Sequence, residues 1–166
     1  MNLEILSLEE ALKYEPREKS CAIRIFSSHK DNIVYWITEL KKNDNWVDIK
    51  KYEFDDIWPS GYDAFDYSNF GKAEEIYLKE NFLGGVYGRQ ILFDCGLARR
   101  ILDDFEKVSD QVDNVMIHCM KGENRSAAVG IAMNEIYDWG YPDLKKEFKF
   151  YRKWVYDVMI ETARKR

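Results

Sequence analysis

The residues best suited to chemistry lie in one short loop, after an apolar stretch that ends at His118. Within this loop, Cys119, Gly122 and Arg125 are spaced three residues apart. Successive backbone N–H groups of such a loop can point inward and bind an anion, and the start of a following helix adds partial positive charge. Gly122 permits a backbone conformation that a side chain would obstruct, and Arg125 offers a planar fork for two phosphate oxygens. The spacing predicts an anion-binding cup with a thiol at its base.

Cys119 is the predicted nucleophile of this cup. The inward N–H groups and the Arg125 guanidinium favour its thiolate, which can attack a bound phosphorus in line. The product is a cysteinyl-phosphate, which water then hydrolyses. Ser126 can donate a hydrogen bond to the sulfur and help it to leave, and His118 is expected to order the loop without transferring a proton. The phosphate is expected to bind to the loop residues Met120, Lys121, Gly122, Glu123, Asn124 and Arg125.

The stretch from His118 to Ser126, HCMKGENRS, resembles the H-C-x5-R-[ST] signature of cysteine-dependent protein tyrosine phosphatases. The signal is specific, because this spacing arises by chance in about one of two thousand such chains even without the histidine. Chain size and signature position are similar to the compact dual-specificity branch of the family. The resemblance covers mainly residues 95–163 and the strand that ends at Asp56. It implies a phosphatase that needs no metal and no cofactor.

Several positions depart from the family pattern. Lys121 and Asn124 stand where the family often has Ala or Gly, and Ala127–Ala128 replace the usual Pro after Ser126. Glu123 puts a carboxylate on the loop, where it would repel a phosphate if it faced inward, so we expect it to point outward. Lys121 is interpreted either as an extra contact for acidic groups of the substrate or as a solvent-facing lysine.

The leaving oxygen needs a proton, which in this family comes from an Asp on a neighbouring loop. The resemblance places that Asp at the end of a strand, in the stretch Glu53–Trp58. The family's pattern of an acidic residue followed by Asp selects Asp56 as the general acid. Asp55 is the close competitor, and Asp63 is a third candidate.

The elements that must position these residues alternate between strands and helices. Strands are predicted over residues 2–6, Cys21–Phe26, Trp46–Phe54 and Asn114–His118. Helices are predicted over Leu8–Tyr14, Cys95–Lys107, Arg125–Trp139 and Phe148–Ala163, with short ones in Asn32–Lys41 and Ala73–Asn81. Ser7 and Glu10 predict a capping box, and Asp94 predicts a cap. The interleaving favours an α/β fold. With the resemblance, it predicts one domain over residues 1–166, a central, mostly parallel sheet flanked by helices on both sides.

Residues 57–90 form a stretch rich in Gly, Tyr, Asp and Asn, with turn signals at Pro59–Gly61 and Gly84–Gly85. Long loops within a domain are usually functional or mobile, and this one has no counterpart in the family. It is interpreted either as a tolerated surface insertion or as a wall of the substrate pocket. The aromatic residues that would build this wall are Trp58, Tyr62, Phe65, Tyr67 and Phe70.

Composition and charge limit the partners. A net charge of -5 and a pI near 5.2 weigh against a broad nucleic-acid surface, because phosphate contacts need clustered Lys and Arg. No apolar run is long enough to span a membrane, and the start of the chain lacks a signal-peptide pattern. Cys21, Cys95 and Cys119 include no C-x-x-C pair, which suits a reducing compartment and gives no zinc pattern. We expect a cytoplasmic protein that acts on a phosphorylated protein or peptide, without metal or cofactor.

Three interpretations of function stay open. The first is a phosphatase for phosphotyrosine, extending to phosphoserine and phosphothreonine; phosphoinositides or RNA ends are further substrates in this class, although the acidic pI weakens the RNA version. The second is a pseudophosphatase that binds phosphate with little turnover. The third is a sulfur transferase of the rhodanese type, which also uses a loop cysteine. Cys119, Arg125 and an acid candidate favour the first, and Gly122 with the Arg125–Ser126 pair weighs against the third.

Overall fold

The fold is built on one parallel sheet. The computed structural model describes residues 1–28, 37–63 and 90–166. Its strands are β1 (Asn2–Leu6), β2 (Ser20–Phe26), β3 (Trp46–Glu53) and β4 (Asn114–His118), in the spatial order β1-β4-β2-β3. Each strand runs parallel to its neighbours, so the carboxyl ends of all four meet at one edge. The predicted α/β class and parallel sheet are confirmed.

The described parts of the chain contain two helices between strands, α1 (Leu8–Lys13) and α2 (Cys95–Glu106), and three helices after β4, which are α3 (Arg125–Tyr137), α4 (Leu144–Glu147) and α5 (Lys153–Arg164). The capping box predicted for α1 forms, because the Ser7 hydroxyl accepts from Glu10 N and the Glu10 carboxylate accepts from Ser7 N. Asp94 caps α2 by accepting from Leu97 N at 2.9 Å. Local side chains therefore fix where both helices begin.

The last helix begins later than the sequence predicts. The predicted span is Phe148–Ala163, but α5 begins at Lys153. The chain before it hydrogen-bonds to Asn124: the Asn124 side-chain amide donates to Phe150 O at 2.6 Å, and Arg152 N donates to Asn124 O at 3.0 Å. These tertiary hydrogen bonds replace the helical ones that the local pattern predicts.

Helices cover both faces of the sheet, which explains why every residue of β2 is buried. On one face, α2, α3 and α5 pack against a continuous apolar core that includes Ile23 and Ile117. On the other face, Ala11 of α1 packs with Ala22 and Met116. Burial on both faces is typical of a parallel sheet.

Some predictions fall on residues that the structure does not describe. The helix predicted over Ala73–Asn81, the aromatic residues Phe65, Tyr67 and Phe70, and most of the stretch 57–90 lie outside the described residues. The helix predicted in Asn32–Lys41 lies mostly outside them; of its described residues, Ile37 is helical and residues 38–41 are not. None of the described helices is long and apolar enough to cross a membrane.

Candidate active site

The cysteine loop, residues 119–125, leaves the carboxyl end of β4 and runs into the first turn of α3. Cys119 is 3% exposed, and its sulfur accepts a hydrogen bond from Gly122 N at 3.3 Å. The buried hydroxyl of Ser126 lies 3.1 Å from the same sulfur, within hydrogen-bonding distance. The Cys119 thiol therefore lies at the base of the loop, between the backbone N–H of Gly122 and the hydroxyl of Ser126.

Gly122 is the point where the cysteine loop touches the end of β1. Its φ of +76° lies in the left-handed region, which glycine enters without steric cost. A Cβ at this position would lie 2.7 Å from both the Leu6 carbonyl carbon and the Ser7 nitrogen, which is closer than real Cβ contacts. Leu8 N also donates to Met120 O at 3.1 Å, so backbone contacts hold this side of the loop. The position requires glycine for its conformation and for its lack of volume.

Arg125 connects the cysteine loop to the ends of β2 and β3. Its Nη1 donates to Phe54 O at 2.7 Å and to Ser27 Oγ at 2.9 Å, and the side chain is almost completely buried. Its Nε and Nη2 form no hydrogen bond with a described residue. This Nε–Nη2 edge is the one that holds a phosphate or carboxylate with two parallel hydrogen bonds. Arg125 and Cys119 line the same small cavity, whose other walls include Leu8.

His118 lies behind the cysteine and is tied to a buried arginine. Arg24 Nε donates to His118 Nε2 at 2.9 Å, so Nε2 is the acceptor and Nδ1 carries the proton. Nδ1 lies 3.4 Å from the Cys119 carbonyl oxygen, at the long end of the hydrogen-bonding range. Burial, assisted by the Arg24 charge, lowers the pKa of His118 to about 4. The ring is therefore neutral near pH 7, in agreement with an ordering role rather than proton transfer.

Asp55 is buried, and its carboxylate ties two segments together. Its oxygens accept hydrogen bonds from the backbone N–H and hydroxyl of Ser28 and, at 2.7 Å, from Ile91 N. Asp55 N in turn donates to Ile91 O at 2.8 Å. With both oxygens engaged, this carboxylate has a structural function that competes with proton transfer to a substrate.

Asp56, the aspartate selected from the sequence, faces a different environment. Its side chain is 35% exposed, and Oδ1 accepts from Arg152 Nε at 2.7 Å. Its Oδ2 forms no hydrogen bond with a described residue. Asp63, the third candidate, is exposed at the end of the described stretch 37–63. We refer to residues 55–63 as the acid segment.

Most of the remaining side chains of the cysteine loop are exposed to solvent. Lys121 and Glu123 are exposed, as expected for Glu123. Met120 is exposed as well, and the Asn124 side chain is bonded to Phe150 O. A phosphate in this loop would therefore meet the backbone N–H groups and Arg125.

Sequence reasoning missed three side chains that contact His118, Arg125 and Asp56: Arg24, Ser27 and Arg152. The sequence could have indicated Arg24, since it is the one charged residue in the buried strand β2. It could not have indicated Ser27 or Arg152, because their roles arise from contacts with residues far away in the sequence.

No protein-family model, no curated protein and no solved structure matches the chain. Within the described stretches, no group of three or more His, Cys, Asp or Glu side chains is arranged to hold a metal ion.

Proposed function

We propose that the protein hydrolyses phosphate monoesters through a cysteinyl-phosphate intermediate. The observation that carries this proposal is the Cys119 sulfur, which contacts Gly122 N–H and the Ser126 hydroxyl inside a loop closed by Arg125. A loop whose N–H groups face a sulfur can also face the oxygens of an anion bound above it. The Nε–Nη2 edge of Arg125 supplies the two parallel donors that a phosphate needs.

The chemistry would proceed in two balanced steps. The Cys119 thiolate attacks phosphorus, the bond to the ester oxygen breaks, and its electron pair stays on that oxygen, which receives a proton from Asp56. Water then attacks the cysteinyl-phosphate, giving one proton to the Asp56 carboxylate. The phosphorus–sulfur bond breaks, and the sulfur leaves as a thiolate that the Ser126 hydroxyl stabilises.

Phosphorylated proteins or peptides are the proposed substrates, with phosphotyrosine first. A deep cup selects phosphotyrosine because only its long side chain reaches the thiolate, whereas a shallow cup also admits phosphoserine and phosphothreonine. Phosphoinositides and RNA ends are the alternatives within the same chemistry, and the net charge of -5 weighs against RNA. Relative rates on matched phosphopeptides distinguish these substrates.

The test is the turnover of an aryl phosphate by the parent protein and by Cys119→Ser. We expect the serine variant to lose at least about a thousandfold in kcat, because an alcohol is a far weaker nucleophile at neutral pH. Cys95→Ser is the matched control, since Cys95 is exposed at the start of α2 and distant in sequence from the loop. Burial raises the pKa of Cys21 to about 12, so this thiol does not compete for alkylating reagents.

Ligand competition separates this proposal from the alternatives. Vanadate should protect Cys119 from iodoacetate in the Cys95→Ser background, because it occupies the phosphate position. Protection without turnover would leave a phosphate-binding pseudophosphatase. Sulfur transfer from thiosulfate to cyanide, without phosphate release, would replace the proposal by the rhodanese-type transferase.

A further inference from the structure

Arg152 connects the cysteine loop to the acid segment. It directly precedes α5, and its backbone N–H donates to Asn124 O at 3.0 Å, one residue before Arg125. Its side-chain Nε donates to Asp56 Oδ1 at 2.7 Å. One residue therefore bonds to the phosphate-binding loop through its backbone and to the candidate acid through its side chain.

The guanidinium of Arg152 is held in place more firmly than the carboxylate that it contacts. The Arg152 side chain is 2% exposed, whereas the Asp56 side chain is 35% exposed. The Trp58 ring lies against the guanidinium, with 4.3 Å between the ring centroid and Cζ. Such stacking fixes the plane of an arginine and adds a cation–π attraction. The partly exposed Asp56 carboxylate is thus positioned by the buried Arg152 guanidinium.

Other charged groups near the acid segment face different partners. Asp55 is bonded to Ser28 and Ile91. Lys153 and Asp157 of α5 pair with each other and contact the Tyr62 hydroxyl. Among the described residues, Arg152 is the charged group that contacts Asp56.

We propose that Arg152 is a positioning residue for the general acid Asp56. The proposal rests on the proposed phosphatase function. By binding Oδ1, Arg152 directs the other oxygen, Oδ2, toward the ester oxygen above the cysteine loop.

Two substrates that differ only in leaving group test this role. Phenyl phosphate needs protonation of its leaving oxygen, whereas dinitrophenyl phosphate releases a stable phenolate with little help from an acid. We expect Arg152→Gln to lower kcat/KM about a hundredfold on phenyl phosphate and less than about fivefold on dinitrophenyl phosphate. A general loss of structure would lower both rates equally.

Arg152→Lys supplies a second readout. It keeps the charge but loses the stacked fork, so we expect it to lower kcat/KM on phenyl phosphate more than on dinitrophenyl phosphate.

Controls tie both readouts to Asp56. Lys153→Gln removes the neighbouring cation on α5 and should keep the parental ratio of the rates on the two substrates. Asp56→Asn should reproduce the leaving-group selectivity of Arg152→Gln. The double variant Asp56→Asn, Arg152→Gln should be no slower than Asp56→Asn alone, because residues that act as one unit are not additive.

The outcomes separate the two proposals. Equal losses on both substrates would overturn the positioning role while leaving the phosphatase intact. Absence of Cys119-dependent turnover in the parent would overturn the phosphatase and the positioning role together. If Arg152→Gln does not fold, Arg152→Lys decides: a loss confined to phenyl phosphate supports the role, and an equal loss on both substrates rejects it.

Discussion

The cysteine loop and the acid segment supply the two halves of the proposed site, and they are held in different ways. The cysteine loop is fixed mainly by backbone contacts with neighbouring strand ends, such as Gly122 against Leu6. The acid segment is fixed mainly by side chains, above all the contacts of Asp56 with Arg152 and of Tyr62 with α5. Backbone contacts depend on a short local pattern, whereas side-chain contacts depend on partners far along the chain.

This difference predicts different sensitivities to mutation. The cysteine loop should tolerate changes to its exposed side chains, such as Lys121 and Glu123, but not changes to its glycine or arginine. The acid segment should respond to single side-chain changes made far away in the sequence. The predictions that follow probe each half in turn.

The largest effect is expected at Arg125. Arg125→Lys keeps the positive charge but cannot offer two parallel donors while it also bonds to Phe54 O and Ser27 Oγ. We expect kcat/KM on an aryl phosphate to fall about a thousandfold, the scale of losing a preorganised donor to a developing anion. Arg99→Lys, on an exposed residue of α2, is the matched control. A loss of less than about tenfold at Arg125 would show that charge alone suffices.

The acid segment offers a sharper contrast, because substitution of Asp56 is expected to lower activity and substitution of Asp55 is expected to lower stability. Asp56→Asn should lower kcat/KM on phenyl phosphate about a hundredfold and remove the alkaline limb of the pH–rate profile. Asp55→Asn should lower the free energy of unfolding by about 3 kcal/mol, because an amide cannot accept every hydrogen bond that the buried carboxylate accepts. Urea unfolding and pH–rate profiles of the two variants check this.

Exchanged phenotypes of these two variants would move the acid role to Asp55. They would also remove the basis for the proposal on Arg152, which contacts Asp56 alone among these aspartates.

Glycine substitutions test the backbone half. Gly122→Ala combines a left-handed φ with a Cβ 2.7 Å from the backbone of Leu6, and we expect it to cost about 3 kcal/mol of unfolding free energy. Gly140→Ala is the matched control, because Gly140 has a φ of +83° but no atom within 4 Å of the added Cβ. We expect about 1 kcal/mol there, from φ alone. Equal costs in urea unfolding would mean that the contact with β1 is not tight.

The contrast explains what the sequence could predict. The fold class and the cysteine loop follow from local information: strand and helix patterns, a capping box at Ser7, and a cysteine, glycine and arginine at fixed spacing. Parallel pairing places the cysteine loop beside the ends of β2 and β3. Arg125 Nη1 can therefore donate a hydrogen bond to Phe54 O. The predicted start of α5 was wrong because hydrogen bonds to Asn124 override the helical pattern of the sequence before Lys153.

The acid segment shows the limit of such reasoning. The family pattern selects Asp56, but nothing local separates it from Asp55, since both follow the same strand. Burial and partners distinguish them: Asp55 bonds to Ser28 and Ile91, and Asp56 bonds to Arg152. These partners depend on the tertiary structure, so they could not be found from spacing.

The smallest expected effect concerns His118, which directly precedes Cys119 and accepts a side-chain hydrogen bond from Arg24. The pKa of His118 is about 4 in the folded protein and about 6.5 in an unfolded chain. As pH falls, the unfolded chain therefore binds this proton first, and the stabilisation present above pH 6.5 is lost progressively toward pH 4. Between pH 7 and pH 5 the loss amounts to about 2 kcal/mol.

His118→Gln removes this titration while keeping an oxygen that can accept from Arg24 Nε, so its free energy of unfolding should vary less over the same pH range. Urea unfolding of the parent and the variant at matched pH values measures the difference, since all other titrating groups are shared. Parallel curves for the two proteins would mean that His118 does not stay neutral in the folded state. The hydrogen bond from Arg24 to Nε2 would then need another explanation, because a protonated imidazole has no acceptor nitrogen.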